Sequence, residues 1–265
     1  MLDCATSRPT AATAGIAVCF AHLQDLPVST MLAVLSAQER ARAARIRHHE
    51  AWRQFVLTRG LLRLMLADVT AAPAENFAID DGGGNAPTLT DNPWNVSFNV
   101  SHSHDCVVVA VGHEALGVDV ERVSRSSGHE QLATVCYHPR ERHFLDTQTP
   151  GDKAEAFFDI WTRKEARLKA TGQGFRVDPA HFCTVPFDRP VSVEDTEADG
   201  QIWYTRPLNA PAGYKAAIAS VSPSSTIRHI EAATLTGKHA PLERPLQATQ
   251  WISKTAHQAA RRTWC

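Results

Sequence analysis

The sequence Gly117-Val118-Asp119-Val120-Glu121 follows Leu116 in an apolar run that predicts a β-strand. Because successive side chains of a strand point to opposite faces, Asp119 and Glu121 share one face and the two valines share the other. Two carboxylates on one face, with Cα atoms about 7 Å apart, repel each other unless a cation or hydrogen-bond donors lie between them. Magnesium is commonly held by one or two carboxylates together with phosphate oxygens and water. The pentad therefore predicts either a magnesium site or two solvent-exposed acids at the end of a strand.

A third carboxylate follows on a predicted helix, in Trp161-Thr162-Arg163-Lys164-Glu165. Helical periodicity over residues 152–171 defines an apolar stripe, and both Lys164 and Glu165 fall on its arc, with Lys169 one turn beyond Glu165. An ionised Glu or Lys on such an arc costs several kcal/mol unless it is paired or bound to a metal. An exposed Glu165–Lys169 pair would contribute only about 0.3–0.5 kcal/mol and does not explain why the acid points inward. We therefore expect Glu165 to be a metal ligand or a base.

The same helix has recognisable ends in the sequence. Asp152-Lys153-Ala154-Glu155 fits a capping box, with Asp in place of Ser or Thr. Gly172 and Gly174 can end the helix in left-handed conformations. Lys169 is therefore predicted near the helix C-terminus, where it can reach a ligand beside the turn.

A polar segment, Asn99-Val100-Ser101-His102-Ser103, precedes the strand predicted at residues 107–111, and we interpret it as a turn. Its hydroxyls, its imidazole and its backbone N–H groups could all donate hydrogen bonds to a phosphate. His102 and His104 could instead suggest zinc, but a His-x-His pair with no cysteine or third histidine nearby is a weak zinc signal. The segment is thus either a phosphate-binding turn or a plain polar turn.

The overall composition limits the classes of function. With 265 residues and 43% hydrophobic content, the chain can bury the core of one large domain or two small ones. A net charge of −1 gives no general argument for binding nucleic acid or membranes, and no run approaches the ~18 apolar residues of a membrane span. Residues 14–22 are expected to form a first strand, because the apolar part is too short and mixed for a signal peptide. None of the six cysteines forms a C-x-x-C pair, which favours a reducing, cytoplasmic location.

Helices and strands are mixed without a regular alternation, which favours an α+β fold over a doubly wound parallel sheet. Strands are predicted at residues 16–21, 96–100, 107–111, 116–121, 181–185, 201–205 and 214–221. Helices are predicted at residues 36–48, 51–67, 130–136, 139–147 and 152–171, and the clearest loops at 81–84 and 124–128. Residues 231–265 carry five Lys or Arg against two Glu and are expected to be a peripheral basic tail, with a short helix at 250–262.

Arginine is concentrated in residues 38–63, which contain seven arginines and no lysine. On a helical wheel for residues 51–67, Arg53, Arg59 and Arg63 share one side. This side is either the solvated face of a surface helix or an anion site, since arginine pairs well with phosphate.

Three of these segments together resemble the Sfp-type 4′-phosphopantetheinyl transferases, which show F-N-x-S-H-S, G-x-D-x-E and W-x-x-K-E-x-x-x-K in this order. The corresponding residues here are 98–103, 117–121 and 161–169, and the resemblance covers about residues 14–222. It implies a monomer built as a pseudo-dimer of two similar α+β halves, with the active site between them. We expect an N-terminal half at residues 1–123 with contacts to the nucleotide and phosphates of coenzyme A, a C-terminal half at 124–230 with the catalytic helix 152–171, and a tail at 231–265.

The resemblance also implies a reaction, in which phosphopantetheine moves from coenzyme A to a serine of an apo acyl or peptidyl carrier protein and adenosine 3′,5′-bisphosphate is released. By the same resemblance, Asp119, Glu121 and Glu165 would surround Mg²⁺ on the coenzyme A diphosphate, and Mn²⁺ would also suit these oxygen ligands. Glu165 would deprotonate the incoming serine. Lys169 and His102 would bind diphosphate oxygens, and Ser101 would help to position the nucleotide.

The arginine-rich segment is similar to the part of the family that binds the 3′-phosphate. Arg42 and Arg53 fall near the corresponding places, and Arg59 is a further candidate. The family often has Gly-Lys-Pro or Gly-Arg-Pro before its first motif, whereas this chain has Asn85-Ala86-Pro87. A nucleotide-contacting cation is thus missing at Ala86, so another arginine replaces it or coenzyme A binds more weakly.

Two alternatives to this transferase stay open. A non-catalytic module of the same fold would bind coenzyme A or a carrier protein without transferring anything, and the altered Ala86 motivates it. A metal-dependent phosphoesterase could use the same three acids. The sequence does not identify the carrier protein, so fatty acid, polyketide and nonribosomal peptide systems are all open.

Overall fold

The computed structural model describes residues 15–81, 86–124, 128–172, 176–185, 191–194 and 201–239. Within these ranges the chain forms two four-stranded sheets, one two-stranded sheet and seven α-helices. The strands are β1 (Gly15–His22), β2 (Ile79–Asp80), β3 (Thr88–Leu89), β4 (Ser97–Ser103), β5 (Cys106–Gly112), β6 (Leu116–Arg122), β7 (Val191–Glu194), β8 (Ile202–Leu208), β9 (Tyr214–Ser220) and β10 (Thr226–His229). The helices are α1 (Val28–Ala33), α2 (Ala37–Ala43), α3 (His49–Thr70), α4 (His129–Cys136), α5 (Pro139–Asp146), α6 (Lys153–Thr171) and α7 (Ala232–Lys238).

The first sheet has the strand order β10-β1-β5-β4. Strand β5 pairs antiparallel with both β1 and β4, while β10 runs parallel to β1. All seven residues of β5 are buried, because alternate side chains pack towards α3 and towards the second sheet. This burial on both faces explains why β5 is a continuous apolar run, where a half-exposed strand would alternate.

The second sheet has the order β6-β9-β8-β7 and is antiparallel throughout. On β6, Val118 and Val120 pack into the apolar cluster between the two sheets, whereas Gly117 faces the backbone of α6. Asp119 and Glu121 therefore lie on the α6 side of the sheet. The alternation predicted for this strand is confirmed.

Four layers result, in the order α3, first sheet, second sheet and α6. Each of the two halves in the structure combines a four-stranded sheet with one long helix. Strand β6, predicted to lie in the N-terminal half, belongs to the second sheet, and β10, predicted in the C-terminal half, belongs to the first. The predicted α+β class with two similar halves in one chain is confirmed. No helix in the part of the chain that the structure describes is both long and apolar enough to cross a membrane.

Three local predictions were wrong. Residues 181–185 are not a strand, since Pro179–His181 form a 3₁₀ turn and irregular backbone follows. Residues 99–103 are not a turn but most of strand β4. Asp152 does not cap α6 with its side chain, and its carboxylate instead accepts a 2.7 Å hydrogen bond from the Thr149 hydroxyl. Helix α6 does end as predicted, at Gly172 with a left-handed φ of 68°, while Gly174 lies outside the described residues.

Residues 226–239, which form β10 and α7, pack against the N-terminal half. The predicted division placed a boundary at residue 230, within this segment. Ile230 and Leu235 are buried in the apolar cluster around α3. Asp68 of α3 accepts hydrogen bonds from Arg228 of β10 at 3.2 Å and from Lys238 of α7 at 2.8 Å. A helix as short as α7 has too few turns to show an apolar period in sequence. The remainder of the predicted tail, including the helix at 250–262, lies outside the described residues.

Candidate active site

The two sheets meet where β4 lies beside β6, the end strand of the second sheet. The Asn99 side-chain oxygen accepts a 3.0 Å hydrogen bond from the backbone N–H of Val118. The Ser103 hydroxyl accepts a 3.2 Å hydrogen bond from the backbone N–H of Arg122. Side chains of one strand thus replace the backbone partner that β6 lacks on this edge. The polar residues at alternate positions of β4 therefore join the two halves of the molecule.

The same row of β4 side chains contacts the two acids of β6. The Ser101 hydroxyl donates to Asp119 Oδ1 at 2.8 Å, and the Ser103 hydroxyl donates to Glu121 Oε2 at 2.7 Å. Hydrogen bonds to charged acceptors of this kind are stronger than bonds between neutral groups. The acids are consequently held at the junction between the halves and are not free at the end of a strand.

Helix α6 brings further charged groups over these acids. Its close approach depends on Gly117, since a Cβ atom there would lie 2.1 Å from the Ala166 carbonyl oxygen and 2.4 Å from the Ala170 nitrogen. One turn from Ala166, Lys169 Nζ donates to Asp119 Oδ1 at 2.6 Å and to the Ser101 hydroxyl at 2.7 Å. A cation of the C-terminal half is thereby bound to groups from both sheets.

The burial of these acids changes their protonation. Asp119 is almost fully buried, and burial raises its pKa, although the Lys169 ammonium opposes this shift. Burial also raises the pKa of half-buried Glu165 to about 7, with the negative charge of Asp119 as the second cause. A carboxyl group that titrates near neutral pH can take up or release a proton under ordinary conditions. Glu165 thus has the protonation behaviour of a general base.

His102 lies on the opposite face of β4 from Ser101 and is exposed. Although the residue as a whole is exposed, desolvation of the imidazole on its protein-facing side lowers its pKa, and the Lys169 charge lowers it further. The imidazole therefore lies within electrostatic range of the Lys169 ammonium. It stands at the solvent-facing rim of the site.

Oxygen atoms dominate this site, as a hard divalent cation requires. Asp119 Oδ2 is buried and has no hydrogen-bond partner among the described residues, so one carboxylate oxygen is left for another ligand. In the described ranges, however, no three His, Cys, Asp or Glu side chains are grouped closely enough to hold a metal ion. Lys169 and Ser101 hold one oxygen of Asp119, and Ser103 holds Glu121, which keeps the acids from converging.

Two of the three arginines on the predicted arginine face, Arg59 and Arg63, are buried and paired with acids. They therefore neither face solvent nor are open to an anion. Arg63 is buried, and its Nε donates to Glu39 Oε2 at 2.6 Å. Arg59, also buried, donates to Glu39 Oε1 at 3.3 Å and to the Asp81 carboxylate. Glu39, which also completes the capping box of α2 with Ser36, neutralises both guanidinium groups inside the protein.

Arg42 and Arg53 lie nearer to solvent. Arg42 pairs with Asp81 and stacks over the Phe55 ring at 4.8 Å. Arg53 Nη2 donates to the Leu23 carbonyl oxygen at 3.1 Å, near the end of β1. Ala86 is described and exposed, while Asn85 lies outside the described residues.

Lys164 does not belong to the site, although it precedes Glu165. Its ammonium is buried and pairs with Glu141 Oε2 of α5 at 2.7 Å. It also donates to the carbonyl oxygens of Pro179 and Phe182, both at 2.7 Å. The expectation that an inward-facing lysine must be paired is confirmed, and the pair ties α6 to α5 and to the segment after α6.

A cleft of about 430 Å³ opens at the Ser103 end of the junction and is lined by both halves, including His22, His104, Arg122 and Tyr214. A larger cleft, of about 560 Å³, lies between α4, α5 and the start of α6 and includes none of the predicted site residues. Because Arg122 follows Glu121 and His104 follows Ser103, the smaller cleft is the one beside the acids.

Sequence reasoning identified the acids, Lys169, Ser101 and His102, which the structure brings to one junction. It named Asn99, Ser103 and Gly117 within the motifs but did not predict that Asn99 and Ser103 bind the edge of β6 or that Gly117 admits α6. The spacing of two between Asn99, Ser101 and Ser103 is the signal that could have placed them on one strand face.

Comparisons with known proteins cover both halves. A family model described as the 4′-phosphopantetheinyl transferase superfamily matches residues 115–219, and one described as 4′-phosphopantetheinyl transferase, N-terminal, matches residues 25–114. The boundary between the two matches falls just before β6.

Among curated proteins, the chain is 36% identical to the 4′-phosphopantetheinyl transferase HetI of a Nostoc species, over 58% of this chain and 64% of the relative. It is 30% identical to the 4′-phosphopantetheinyl transferase gsp of Aneurinibacillus migulanus, over 44% of this chain and 47% of the relative. It therefore spans less than two thirds of the length of either relative. A 4′-phosphopantetheinyl transferase of Bacillus subtilis is 27% identical over 75% of this chain and 90% of its own length. With two models of one family covering residues 25–219, the chain belongs to the 4′-phosphopantetheinyl transferase superfamily.

Proposed function

We propose that this protein transfers 4′-phosphopantetheine from coenzyme A to a serine hydroxyl of an apo acyl or peptidyl carrier protein, with adenosine 3′,5′-bisphosphate as the second product. The supporting observation is the convergence of Ser101 from β4, Asp119 from β6 and Lys169 from α6 at one junction between the halves. The named relatives are described as 4′-phosphopantetheinyl transferases, which supports this proposal. The reaction is assigned to a monomer in the cytoplasm, and the free thiols of the four described cysteines are compatible with a reducing compartment.

The metal in this proposal is Mg²⁺, with Mn²⁺ as an acceptable substitute, and Asp119, Glu121 and Glu165 are the residues that would hold it. The buried, unpartnered Oδ2 of Asp119 and the all-oxygen donor set support this assignment. When bound, the ion supplies charge neutralisation at the diphosphate.

The phosphates of coenzyme A would contact cations from both halves. Lys169 and His102 are assigned to diphosphate oxygens, and Ser101 positions the nucleotide beside them. Arg42 and Arg53 are the better candidates for the 3′-phosphate, because both lie nearer to solvent than Arg59, whose guanidinium is buried between Glu39 and Asp81.

In the chemical step, Glu165 accepts the proton of the carrier serine hydroxyl as the serine oxygen attacks the β-phosphorus of coenzyme A. The bond from that phosphorus to the oxygen bridging to the α-phosphate breaks, and the electron pair leaves with adenosine 3′,5′-bisphosphate. Attack at phosphorus needs positioning and charge stabilisation more than covalent help from the protein. A carboxylate with a pKa of about 7 suits the role of base near neutral pH.

The pH dependence of the reaction follows from this pKa. Glu165 is the proton acceptor in its ionised form, so kcat/KM should fall as the pH drops through the pKa of Glu165, which is about 7 without metal and lower when the cation is bound. Carrier modification measured from pH 5.5 to 8.5 at constant ionic strength tests this. A rise in kcat/KM as the pH falls from 8 to 5.5 would contradict the assignment of Glu165 as the base.

The proposed reaction is tested by incubating the full chain with coenzyme A, Mg²⁺ and a panel of apo carrier proteins. We expect the mass of at least one carrier to increase by one phosphopantetheine group, with no increase when its acceptor serine is replaced by alanine. Folded protein that modifies none of a varied panel would overturn the proposal. Binding of coenzyme A without transfer would favour the non-catalytic module, and release of bisphosphate without any carrier would favour a phosphoesterase.

A further inference from the structure

Lys169 is bound to the acid that is the best candidate for a metal ligand. Its Nζ lies 2.6 Å from Asp119 Oδ1 and 2.7 Å from the Ser101 hydroxyl. The Asp119 side chain is 3% exposed, whereas that of Lys169 is 30% exposed. The ammonium therefore enters the site from its solvent side.

This contact neutralises Asp119 incompletely. A buried carboxylate needs a counter-charge, and Glu121 and Glu165 add negative charge nearby. The ammonium satisfies Oδ1, but Oδ2 has no hydrogen-bond partner in the described part of the chain. One positive charge thus faces the Asp119 carboxylate together with the nearby negative charges of Glu121 and Glu165, which favours a doubly charged ion in its place.

The Lys169 ammonium can move away from Asp119 more easily than Lys164 can leave its own partner. The Lys164 ammonium is buried and fixed by Glu141 and two backbone carbonyl oxygens, so its removal would disrupt the core. Lys169 stands in the last turn of α6, and its long flexible stem reaches the site from a partly exposed position. The hydrogen bonds that its ammonium makes to Asp119 and Ser101 involve side chains alone, so their loss would leave the backbone hydrogen bonds intact.

We propose that Lys169 is a resident counter-cation of Asp119 that a divalent cation displaces, so that metal entry frees the ammonium for the diphosphate of coenzyme A. The inference rests on the proposed function, since it takes Asp119 as a metal ligand and a diphosphate as the second acceptor for Lys169. Metal and diphosphate binding are then coupled: each ligand tightens the other, because both favour the state in which the Lys169–Asp119 contact is broken.

The test is calorimetric titration of the full chain with Mn²⁺ in the absence of coenzyme A. Lys169→Met removes the competing ammonium, and we expect it to bind Mn²⁺ more tightly than the wild type, on the order of 10-fold, which is within the usual range of coupling between sites. Lys169→Arg keeps the charge and should bind like the wild type. Lys238→Met, which loses a lysine paired with Asp68 on α3, is the matched control for the loss of one positive charge and should also bind like the wild type.

Melting curves give a second readout that needs no activity. In EDTA, Lys169→Met should melt below the wild type because the acids lose their counter-charge, and saturating Mn²⁺ should close the gap. Equal or weaker Mn²⁺ binding by Lys169→Met overturns the inference. If that variant does not fold, Ser101→Ala replaces it: losing one partner of the ammonium without a change of charge should still tighten Mn²⁺ binding, and unchanged or weaker binding overturns the inference.

The two proposals fail separately. Tighter Mn²⁺ binding by Lys169→Met in a protein that modifies no carrier supports the counter-cation role and overturns the transferase. Carrier modification by the wild type, with no tightening in the variant, supports the transferase and overturns the counter-cation role.

Discussion

Replacement of Glu165 by glutamine is expected to lower kcat/KM for carrier modification by about 100-fold or more, the usual cost of losing a general base. Glutamine has nearly the same shape but cannot accept the serine proton, and it also withdraws one negative charge from the site shared with Asp119 and Glu121. The measurement is the initial rate of carrier modification with coenzyme A and Mg²⁺ at pH 8. Glu75→Gln changes an exposed carboxylate on a 3₁₀ turn of the N-terminal half that makes no described contact with the acids, and it should leave the rate unchanged.

The same variant should be more stable than the wild type at high pH. Below the ordinary carboxyl pKa of 4.5, Glu165 is protonated in both folded and unfolded chains and its titration has no effect. Between 4.5 and about 7 the unfolded chain releases a proton that the folded chain keeps, so the wild type loses stability as pH rises through this window.

Glu165→Gln cannot undergo this loss, so its melting temperature should exceed that of the wild type at pH 8 and match it at pH 4.5. Near-normal turnover combined with an unchanged melting temperature at pH 8 would show that Glu165 is not the base and that burial does not raise its pKa.

The acids of this site were predictable from sequence because they depend on local periodicity. The period of two placed Asp119 and Glu121 on one face of β6, and the period of 3.6 placed Glu165 on the inner arc of α6. Both arguments use side-chain directions that the backbone fixes within a few residues, so they hold without knowledge of the tertiary structure. The order of the three motifs then supplied the family.

The pairing of the buried arginine and lysine residues was not predictable in this way, because it depends on partners distant in sequence. Arg59 is neutralised by Glu39, twenty residues earlier, and Lys164 is bound to carbonyl groups up to eighteen residues later. A helical wheel shows neither partner, so the arginine face was interpreted as a solvated or anion-binding surface.

The junction of β4 and β6 was missed for a related reason. Asn99 and Ser103 are turn-forming residue types in sequence, but in the structure they satisfy backbone N–H groups of another sheet. Tertiary contact thus overrides the local preference.

Substitution of Gly117 by alanine is expected to destabilise the protein by about 3 kcal/mol or more, at the upper end of the range for overpacked sites. The new Cβ atom would lie 2.1 Å from the Ala166 carbonyl oxygen, 2.4 Å from the Ala170 nitrogen and 2.9 Å from the Ala170 Cα. These are backbone atoms of α6, so no side-chain rotation can relieve the clash and the helix itself must move. Urea unfolding followed by circular dichroism measures the loss of stability. Gly128→Ala is the matched control, since its Cβ atom would meet nothing within 4 Å and its φ of −81° suits alanine.

The same substitution should also lower carrier modification by about 100-fold in the fraction that stays folded, because displacements of about 1 Å can have effects of this size on a positioned catalytic group. Gly117 lies two residues before Asp119, and of its two contacts on α6, Ala166 directly follows Glu165 and Ala170 directly follows Lys169. Moving α6 away therefore moves the base and the ammonium away from Asp119 together. A folded Gly117→Ala protein with wild-type stability and turnover would show that the approach of α6 to β6 does not set the geometry of the site. Loss of turnover at temperatures well below the melting point of the variant would show that Gly117 sets the distance between the acids of β6 and the charged groups of α6.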